Sequence, residues 1–370
     1  MQSLNSETLT KVKRTNWTRE QYVDFAEEMR KRGKTASSDI IFPLPGETKE
    51  IYLEGVKFLM DHNTKPITSV LLMLSGTELG RDEAINKYGM VAKYRLLPKE
   101  FGEYHGKKIF EIEKACVGTN TLSHEDYLYC RNYSFLQELL TNLTFAPVHK
   151  LTKKIGISWY DVTRKTLEAI TDKKFKGKLK DLFNEFCLES RNELFNSKEE
   201  AINFYSKPEN YQSLKKGDIG ENLLAKYTAK GLLVFDDILK TVYQVIRNKL
   251  IKSHDRELDA VLNSSEKWLK NLYMIKEIFG DNINAEKNNK HMLKMDYDFP
   301  AWLLADHQPF INFKKESTYE LDFDLDKINY IHNELNTVYK ADKERRFLGY
   351  LLKLNITGVD LWKKRARRIS

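Results

Sequence analysis

The sequence predicts an α/β protein that begins with a parallel strand–helix–strand unit and continues into a mostly α-helical region. Two short apolar runs, residues 38–42 and 69–74, have the length of buried strands, and apolar residues between them repeat at helical spacing. Beyond residue 148 the chain is rich in Lys, Glu, Leu and Asn with helical periodicity. The 370 residues are enough for two domains.

Two predicted helices open the chain. Asn5 or Ser6 can cap the first helix, which continues to residue 14. The second helix spans residues 18–32, where apolar side chains form a stripe, and Gly33 ends it. Both helices precede the first strand.

The parallel unit follows these helices. Residues 38–42 read as a strand that is buried on both faces. The chain breaks sharply at residues 43–46, and Thr48 can cap the next helix. The second strand, residues 69–74, ends in a turn at residues 75–76. Short connections between strand, helix and strand require parallel pairing with a right-handed crossover.

The pattern loosens between residues 82 and 118, where aromatic residues and glycines are interleaved. Ser123 followed by Asp126 resembles a capping box, which predicts a helix running to about residue 143. Pro147 is expected to close this segment.

The rest of the chain is predicted to be mainly helical. Residues 148–290 indicate four to six amphipathic helices. Residues 295–303 and 319–323 look like short strands, and a final helix pair is expected over residues 326–354. No internal repeat is present.

Composition excludes several classes of protein. The mean hydropathy is −0.56, and no apolar run is longer than about six residues, which excludes a transmembrane helix. The N-terminal residues lack the charged and apolar regions of a secretory signal, so we expect a cytoplasmic protein without membrane contacts. Cys116, Cys130 and Cys187 are widely spaced and odd in number, which indicates buried thiols rather than disulfides or a metal site.

The chain is basic. It has 61 Lys and Arg against 53 Asp and Glu, and five of the cations lie in residues 363–368. This charge permits contacts with nucleic acid, but a solvated tail is the favoured interpretation because no aromatic stacking platform accompanies the run.

One segment stands out as a candidate site. Residues 39–48 form a buried strand that ends in a tight turn before a helix. Ligands of parallel α/β proteins bind at the carboxyl ends of strands, and Glu47 and Thr48 lie at a helix N-terminus, where a carboxylate is favoured. An ordinary strand-to-helix turn capped by Thr48 explains the same residues, so both interpretations stay open. The sequence contains no Gly-rich phosphate loop, no Gly-x-Ser-x-Gly nucleophile elbow and no His-Glu-x-x-His zinc-binding motif.

A series of short motifs runs through the first 140 residues. They read Gln-Ser-Leu-Asn at 2–5, Leu-Pro-Gly-Glu-Thr at 44–48, Leu-Ser-Gly-Thr-Glu-Leu at 74–79, Tyr-Gly-Met at 88–90, Tyr-Arg-Leu-Leu-Pro at 94–98 and Phe-Gly-Glu-Tyr at 101–104. The neighbourhoods of Glu113, residues 119–121 and residues 125–127 continue the series. In this order the motifs resemble the radical S-adenosylmethionine (radical SAM) superfamily, in the branch that usually carries a cobalamin-binding domain.

The resemblance implies a fold and three regions. Residues 1–80 would be the second half of a parallel β/α radical SAM barrel (a partial TIM barrel), and residues 81–147 a family-specific extension that closes it. Residues 148–370 would be a mainly α-helical C-terminal domain with short strands near residues 295–325.

The chain departs from the family in two respects: two motifs are absent, and one residue differs. It lacks the Cys-x-x-x-Cys-x-x-Cys motif that ligates the iron–sulfur (4Fe–4S) cluster, and it lacks the Gly-Gly-Glu strand. Both belong to the first half of the barrel, so the chain resembles a C-terminal portion whose partner is the missing half-barrel or an upstream cluster-binding subunit. Pro43 stands where the family usually has glycine.

The resemblance also implies cofactors and roles. The intact parent would use the 4Fe–4S cluster to cleave S-adenosylmethionine to a 5′-deoxyadenosyl radical that acts on a small-molecule substrate, or it would carry out cobalamin-dependent methyl transfer. The resemblance implies no metal ligand in this chain, and whether the parent binds cobalamin stays open. Thr77 and Glu78 would line the substrate side. The implied cofactor-side residues are Gln2, Ser3, Arg14, Ile41, Phe42 and Pro43.

Two other functions remain alternatives. One is a non-catalytic remnant or interaction subunit that uses the basic helical region to bind a partner. The other is a relative that acts on nucleic acid, the less favoured partner.

Overall fold

The computed structural model describes residues 3–251, 256–279, 289–305, 308–337 and 362–370. The chain is a mixed α and β protein with small sheets, as predicted at that level. It divides into two compact units. The first comprises Met1–Leu136 and Glu185–Leu223, and the second comprises Gln137–Asn184 and Leu224–Ser370.

The helices and strands are as follows. The helices are α1 (Ser6–Lys11), α2 (Arg19–Lys31), α3 (Lys49–Asp61), α4 (Asp82–Tyr88), α5 (His124–Leu140), α6 (Ala146–Lys154), α7 (Trp159–Thr171), α8 (Lys178–Asn192), α9 (Lys198–Ser206), α10 (Pro208–Lys216), α11 (Leu223–Leu233), α12 (Phe235–Val245), α13 (Arg256–Leu272), α14 (Ile275–Phe279), α15 (Phe299–Leu304) and α16 (Leu325–Thr337). The strands are β1 (Ala36–Phe42), β2 (Thr64–Val70), β3 (Ala92–Tyr104), β4 (Lys107–Cys116), β5 (Lys290–Met295), β6 (Ser317–Asp322) and β7 (Arg365–Arg368).

The parallel strand–helix–strand unit is present. Strands β1 and β2 pair in parallel along their full length, and α3 connects them. The Thr48 hydroxyl accepts a hydrogen bond from Ile51 N–H at 3.3 Å and so caps α3. The predicted parallel pairing and the predicted cap are therefore confirmed.

The second strand begins and ends earlier than its apolar run indicated. The apolar run predicts a strand over residues 69–74, whereas β2 spans Thr64–Val70. Residues 71–73 instead continue beside the end of β4, and Met73 N–H donates to the Lys114 carbonyl at 2.8 Å. The most apolar part of this segment therefore packs between two strand pairs and outside the parallel ladder.

The prediction that β1 is buried on both faces is wrong. Burial alternates along the strand, and Ser37 and Asp39 are exposed. On the buried face α3 packs so closely that a Cβ at Gly55 would lie 2.8 Å from the Ile40 side chain. On β2, Ile67 is 42% exposed. Among the described residues, α3 therefore covers one face of this strand pair, and the other face is exposed at Asp39 and Ile67.

The loosely patterned segment contains a β-hairpin. Strands β3 and β4 are antiparallel and meet at a turn in which His105 and Gly106 both have positive φ. Between the pairs Leu96–Ile112 and Phe101–Phe110 the register shifts, so residues 97–100 form a bulge. Across the described residues the strands form two pairs and one three-stranded sheet rather than a closed barrel.

Residues 148–290 contain more helices than the four to six predicted. Nine helices, α6 to α14, begin between residues 146 and 275 in the described part of the chain. Pro147 and Pro208 each occupy the first turn of a helix, where a missing N–H costs nothing. Pro147 therefore starts α6 instead of closing the preceding segment.

The C-terminal region of the second unit holds an antiparallel sheet in the order β5–β6–β7. The strand predicted at residues 319–323 is β6. The strand predicted at residues 295–303 is wrong, because Asp298 accepts a hydrogen bond from Ala301 N–H at 3.0 Å and caps α15. The first helix of the predicted final pair is α16, and the second lies outside the described residues.

Residues 365–368 of the basic C-terminal run are exposed to solvent, as predicted, but they form a strand rather than a tail. This strand is β7, and three arginines make ion pairs with acidic residues of the same unit. The pairs are Arg365–Asp322 at 2.6 Å, Arg367–Glu320 at 2.5 Å and Arg368–Asp298 at 2.6 Å. Much of the charge in this run is thus balanced within the fold. Within the described ranges, no helix combines the length and apolarity needed to cross a bilayer.

Candidate functional site

The carboxyl ends of β1 and β2 lie beside an apolar cluster in the first unit. Its buried members are Leu44, Leu71, Met73, Met90 and Cys116. Ile41 and Val12 pack against this cluster. The end of the parallel unit is therefore lined by side chains from the turn after β1, from α1 and from the segment after β2.

Glu47 is a buried carboxyl group at this end of the unit. Its side chain is fully buried, Ser3 Oγ donates a hydrogen bond to Oε1 at 2.8 Å, and Leu44 N–H donates to Oε2 at 3.5 Å. Burial raises the pKa of Glu47 to about 8, although both hydrogen bonds act to lower it. At neutral pH the protonated acid is therefore the main form.

The N-terminal segment covers this carboxyl group. Besides the Ser3–Glu47 contact, Asn16 Nδ2 donates to the Ser3 carbonyl at 2.6 Å. Gly46 has φ +86°, and a Cβ there would lie 2.8 Å from the Lys11 Cδ atom. Glycine at position 46 thus permits both the left-handed turn and the close approach of α1.

Two further motifs of the sequence contact the same region. Thr121 Oγ1 donates to the Glu47 carbonyl at 2.8 Å. Lys13 Nζ lies 2.9 Å from Glu78 Oε1, which joins the N-terminal segment to the loop after β2. Residues that are separated by tens of positions in the sequence therefore meet at the carboxyl end of β1.

The predicted cofactor-side residues are placed differently from one another. Ser3 is buried against Glu47, and Arg14 is exposed. Ile41 is half-buried, whereas Pro43 and Phe42 are buried. The Phe42 ring lies between two tyrosines, with centroids 4.8 Å from Tyr52 and 5.7 Å from Tyr127. Gln2 lies outside the described residues.

The predicted substrate-side residues lie in the loop after β2. Thr77 Oγ1 donates to the Leu74 carbonyl at 2.7 Å. The hydrogen bond from Lys13 lowers the pKa of Glu78, whose side chain is 58% exposed. Both residues are exposed; Thr77 is held within its own loop, whereas Glu78 is held by Lys13 of the N-terminal segment.

Glu47 is the residue whose role the sequence did not reveal. It was expected to be a carboxylate at a helix N-terminus, where ionisation is favoured. The structure instead buries it beneath Ser3, 44 positions away, which no local pattern indicates. The one available signal was the Leu-Pro-Gly-Glu-Thr turn directly after a strand.

The three thiols do not fit an iron–sulfur cluster. Cluster ligands are thiolates that converge on one centre. Cys116 is buried and donates to the Gly118 carbonyl at 3.2 Å, and burial raises its pKa to about 11. Burial also raises the pKa of Cys130, while Cys187 donates to Asn132 Oδ1 at 3.3 Å. No cluster of His, Cys, Asp or Glu with the makings of a metal site occurs in the part of the chain that the structure describes.

The contact between Ser3 and Glu47 gives a testable prediction. Ser3→Ala removes the one side-chain donor to a buried carboxyl group, so it should lower the free energy of unfolding by about 1–3 kcal/mol. It should also raise the pKa of Glu47 further, because the hydroxyl group now lowers it. Urea unfolding measured from pH 5 to pH 9 checks both effects. Ser6→Ala, at an exposed position of α1, is the control; equal effects from the two variants would show that the contact is unimportant.

No protein-family model matches the chain, and no curated protein matches it significantly.

Proposed function

We propose that this chain is the C-terminal portion of a radical SAM enzyme and that another polypeptide segment supplies the iron–sulfur cluster. The observation that carries the proposal is the convergence of its motifs at one strand end. Ser3, Glu47 and Thr121 come from three separate motifs and are linked by hydrogen bonds of 2.8 Å. Spatial clustering of motifs from distant parts of a sequence is expected of a binding site.

The parallel unit supports the barrel component of the proposal. In a β/α barrel, helices cover the outer face of parallel strands, and the inner face meets the other strands. Here α3 packs on one face of β1 and β2, while Asp39 and Ile67 on the other face are exposed. Among the described strands, β1 has β2 as its one neighbour. We propose that the partner half-barrel pairs with β1 and covers this face.

The roles of individual residues follow from this proposal. Bound S-adenosylmethionine would supply the means to abstract hydrogen from a small-molecule substrate. The backbone at Ile41 and Phe42 would flank the adenine, and Ser3 and Arg14 would lie near the ribose or the carboxylate. Arg14 is exposed and so remains accessible to a ligand, whereas Ser3 already donates to Glu47.

A non-catalytic interaction subunit is the second candidate. This candidate is favoured because polar groups at this end of the unit already form hydrogen bonds with one another. Ser3 is bound to Glu47, and the Phe42 carbonyl accepts a hydrogen bond from Leu71 N–H at 2.8 Å. A chain of this kind would bind the cluster-bearing polypeptide without contributing to catalysis.

Formation of 5′-deoxyadenosine separates the two candidates. The full chain is co-expressed with the polypeptide that carries Cys-x-x-x-Cys-x-x-Cys, and the product is measured anaerobically with a reductant. Arg14→Ala should lower the rate by about tenfold or more, because a charged hydrogen bond to the cofactor is lost. Arg32→Ala, an exposed arginine paired with Glu28, should have little effect. Identical rates for the wild type and both variants would favour the non-catalytic subunit.

A further inference from the structure

A cavity lies in the first unit, away from the end of β1. Its volume is about 320 Å³, and its walls are the β3 bulge, the end of α10 and the loop that follows α10. Lys99 and Phe101 contribute the wall on the bulge side. Cavities of this size accommodate small molecules. The sequence of this loop is Gly-Asp-Ile-Gly at residues 217–220.

The lining of the cavity is positively charged. Lys99, Lys215 and Lys216 line it together with a single carboxylate, Glu221. Lys99 Nζ lies 3.2 Å from Glu221 Oε2, so this pair is balanced. Lys215 Nζ lies over the Tyr211 ring, and Lys216 is exposed and makes no ion pair with any described residue. Two ammonium groups therefore remain to attract an anion.

The loop that lines the cavity carries backbone N–H groups that can act as donors. Gly217 and Gly220 have φ values of +75° and +77°. The N–H groups of Ile219, Gly220 and Glu221 make no hydrogen bond within the described ranges of the chain. Consecutive free N–H groups around a left-handed residue form a concave anion-binding surface.

The bulge is held against this loop through a strained residue. Lys99 has φ +68°, which is unfavourable for a long side chain. Its N–H donates to the Gly220 carbonyl at 3.0 Å, and its ammonium group pairs with Glu221. Gly220 is also required sterically, because a Cβ there would lie 2.4 Å from the Leu214 side chain. Strain of this kind is concentrated at functional sites.

Glu221 supplies an acceptor. Its Oε2 atom is buried and makes no hydrogen bond, and its contact with Lys99 is purely an ion pair. Because this oxygen is buried, a ligand hydroxyl group would meet the other carboxylate oxygen, Oε1, which lies beside Gly217 in the cavity wall. The cavity thus combines anion donors on the loop with a carboxylate acceptor beside them, which is the pattern required by a phosphorylated polyol.

We propose that this cavity binds a small phosphate monoester of a polyhydroxy compound. The phosphate group contacts the N–H groups of residues 219–221 and the ammonium groups of Lys215 and Lys216. A ligand hydroxyl group donates to Glu221 Oε1. The site does not depend on the radical SAM assignment, since it shares no residue with the carboxyl end of β1.

Calorimetric titration of the full chain with ribose 5-phosphate tests the proposal. We expect saturable binding, and we expect Lys215→Ala combined with Lys216→Ala to weaken it by about tenfold or more, because charged hydrogen bonds are lost. The matched control is Lys173→Ala with Lys174→Ala, an exposed lysine pair of the second unit, which should change affinity by less than about twofold.

Two further arms define the ligand class. Ribose without phosphate should not bind. Glu221→Gln should weaken the binding of ribose 5-phosphate and leave the affinity for inorganic phosphate unchanged. The proposal is overturned if ribose 5-phosphate does not saturate, if the two double variants behave alike, or if a short oligonucleotide binds more tightly than the monoester.

Discussion

Glu47→Gln should abolish most of the loss of stability that we expect of the wild-type chain between pH 5 and pH 9. The pKa of Glu47 is raised to about 8 in the folded chain by burial. The unfolded chain exposes the side chain to water, where the pKa of glutamate is about 4.3. The folded state therefore holds a proton that the unfolded state releases.

The direction of this pH effect follows from the protons bound. Between the two pKa values the folded state binds one more proton, so raising the pH favours the unfolded state. The contribution is fully present below about pH 4 and is lost as the pH rises through about 8. A difference of three to four pKa units corresponds to about 4–5 kcal/mol for this fully buried group.

Urea unfolding across this pH range measures the effect. Glutamine has nearly the same shape as the protonated acid but does not titrate. The free energy of unfolding of Glu47→Gln should therefore be nearly constant over the pH range in which the wild-type value falls. Glu50→Gln, an exposed residue in the first turn of α3, should keep the wild-type profile. A wild-type profile that is flat, or that rises with pH, would contradict the burial of a neutral acid.

Phe42→Ala should lower the free energy of unfolding by about 3–5 kcal/mol. Phe42 is 1% exposed, and its ring packs against Tyr52 and Tyr127. Truncation removes a large apolar side chain from the buried core and leaves a cavity at the end of β1. Phe42→Leu should cost less, because it keeps most of the buried volume.

Denaturation of the intact chain checks this prediction. Phe25→Ala is the matched control, since Phe25 is 40% exposed on α2 and should cost less than about 1 kcal/mol. If Phe42→Ala proved as mild as Phe25→Ala, the turn after β1 could not be the packed element described above.

The sequence was most informative where local signals agree. The unit formed by β1, α3 and β2 was predictable because two apolar runs flank a segment with helical periodicity and a capping threonine at position 48. The burial of β1 was overestimated because Ile40, Ile41 and Phe42 are consecutive in sequence, yet alternation leaves Ile41 half-exposed. Apolar character alone does not reveal which faces a neighbouring layer covers.

The features that escaped prediction depend on distant residues. The hairpin of β3 and β4 was obscured because the bulge at residues 97–100 interrupts the alternation of β3. Strand β7 reads as a charge run, and it is ordered by acidic residues such as Asp322, 43 positions before Arg365. Glu47 is likewise buried by Ser3, which lies 44 positions earlier. Tertiary contacts of this kind leave no local pattern.

We propose that the iron–sulfur cluster comes from a partner polypeptide. Anaerobic reconstitution with iron and sulfide tests this proposal most directly. Iron content and absorbance near the iron–sulfur charge-transfer band are recorded for the chain alone and for the chain co-expressed with a cluster-bearing half. We expect no cluster on the chain alone and a stable cluster on the pair. A stable four-iron cluster on the chain alone would make Cys116, Cys130 and Cys187 ligands and would contradict the account.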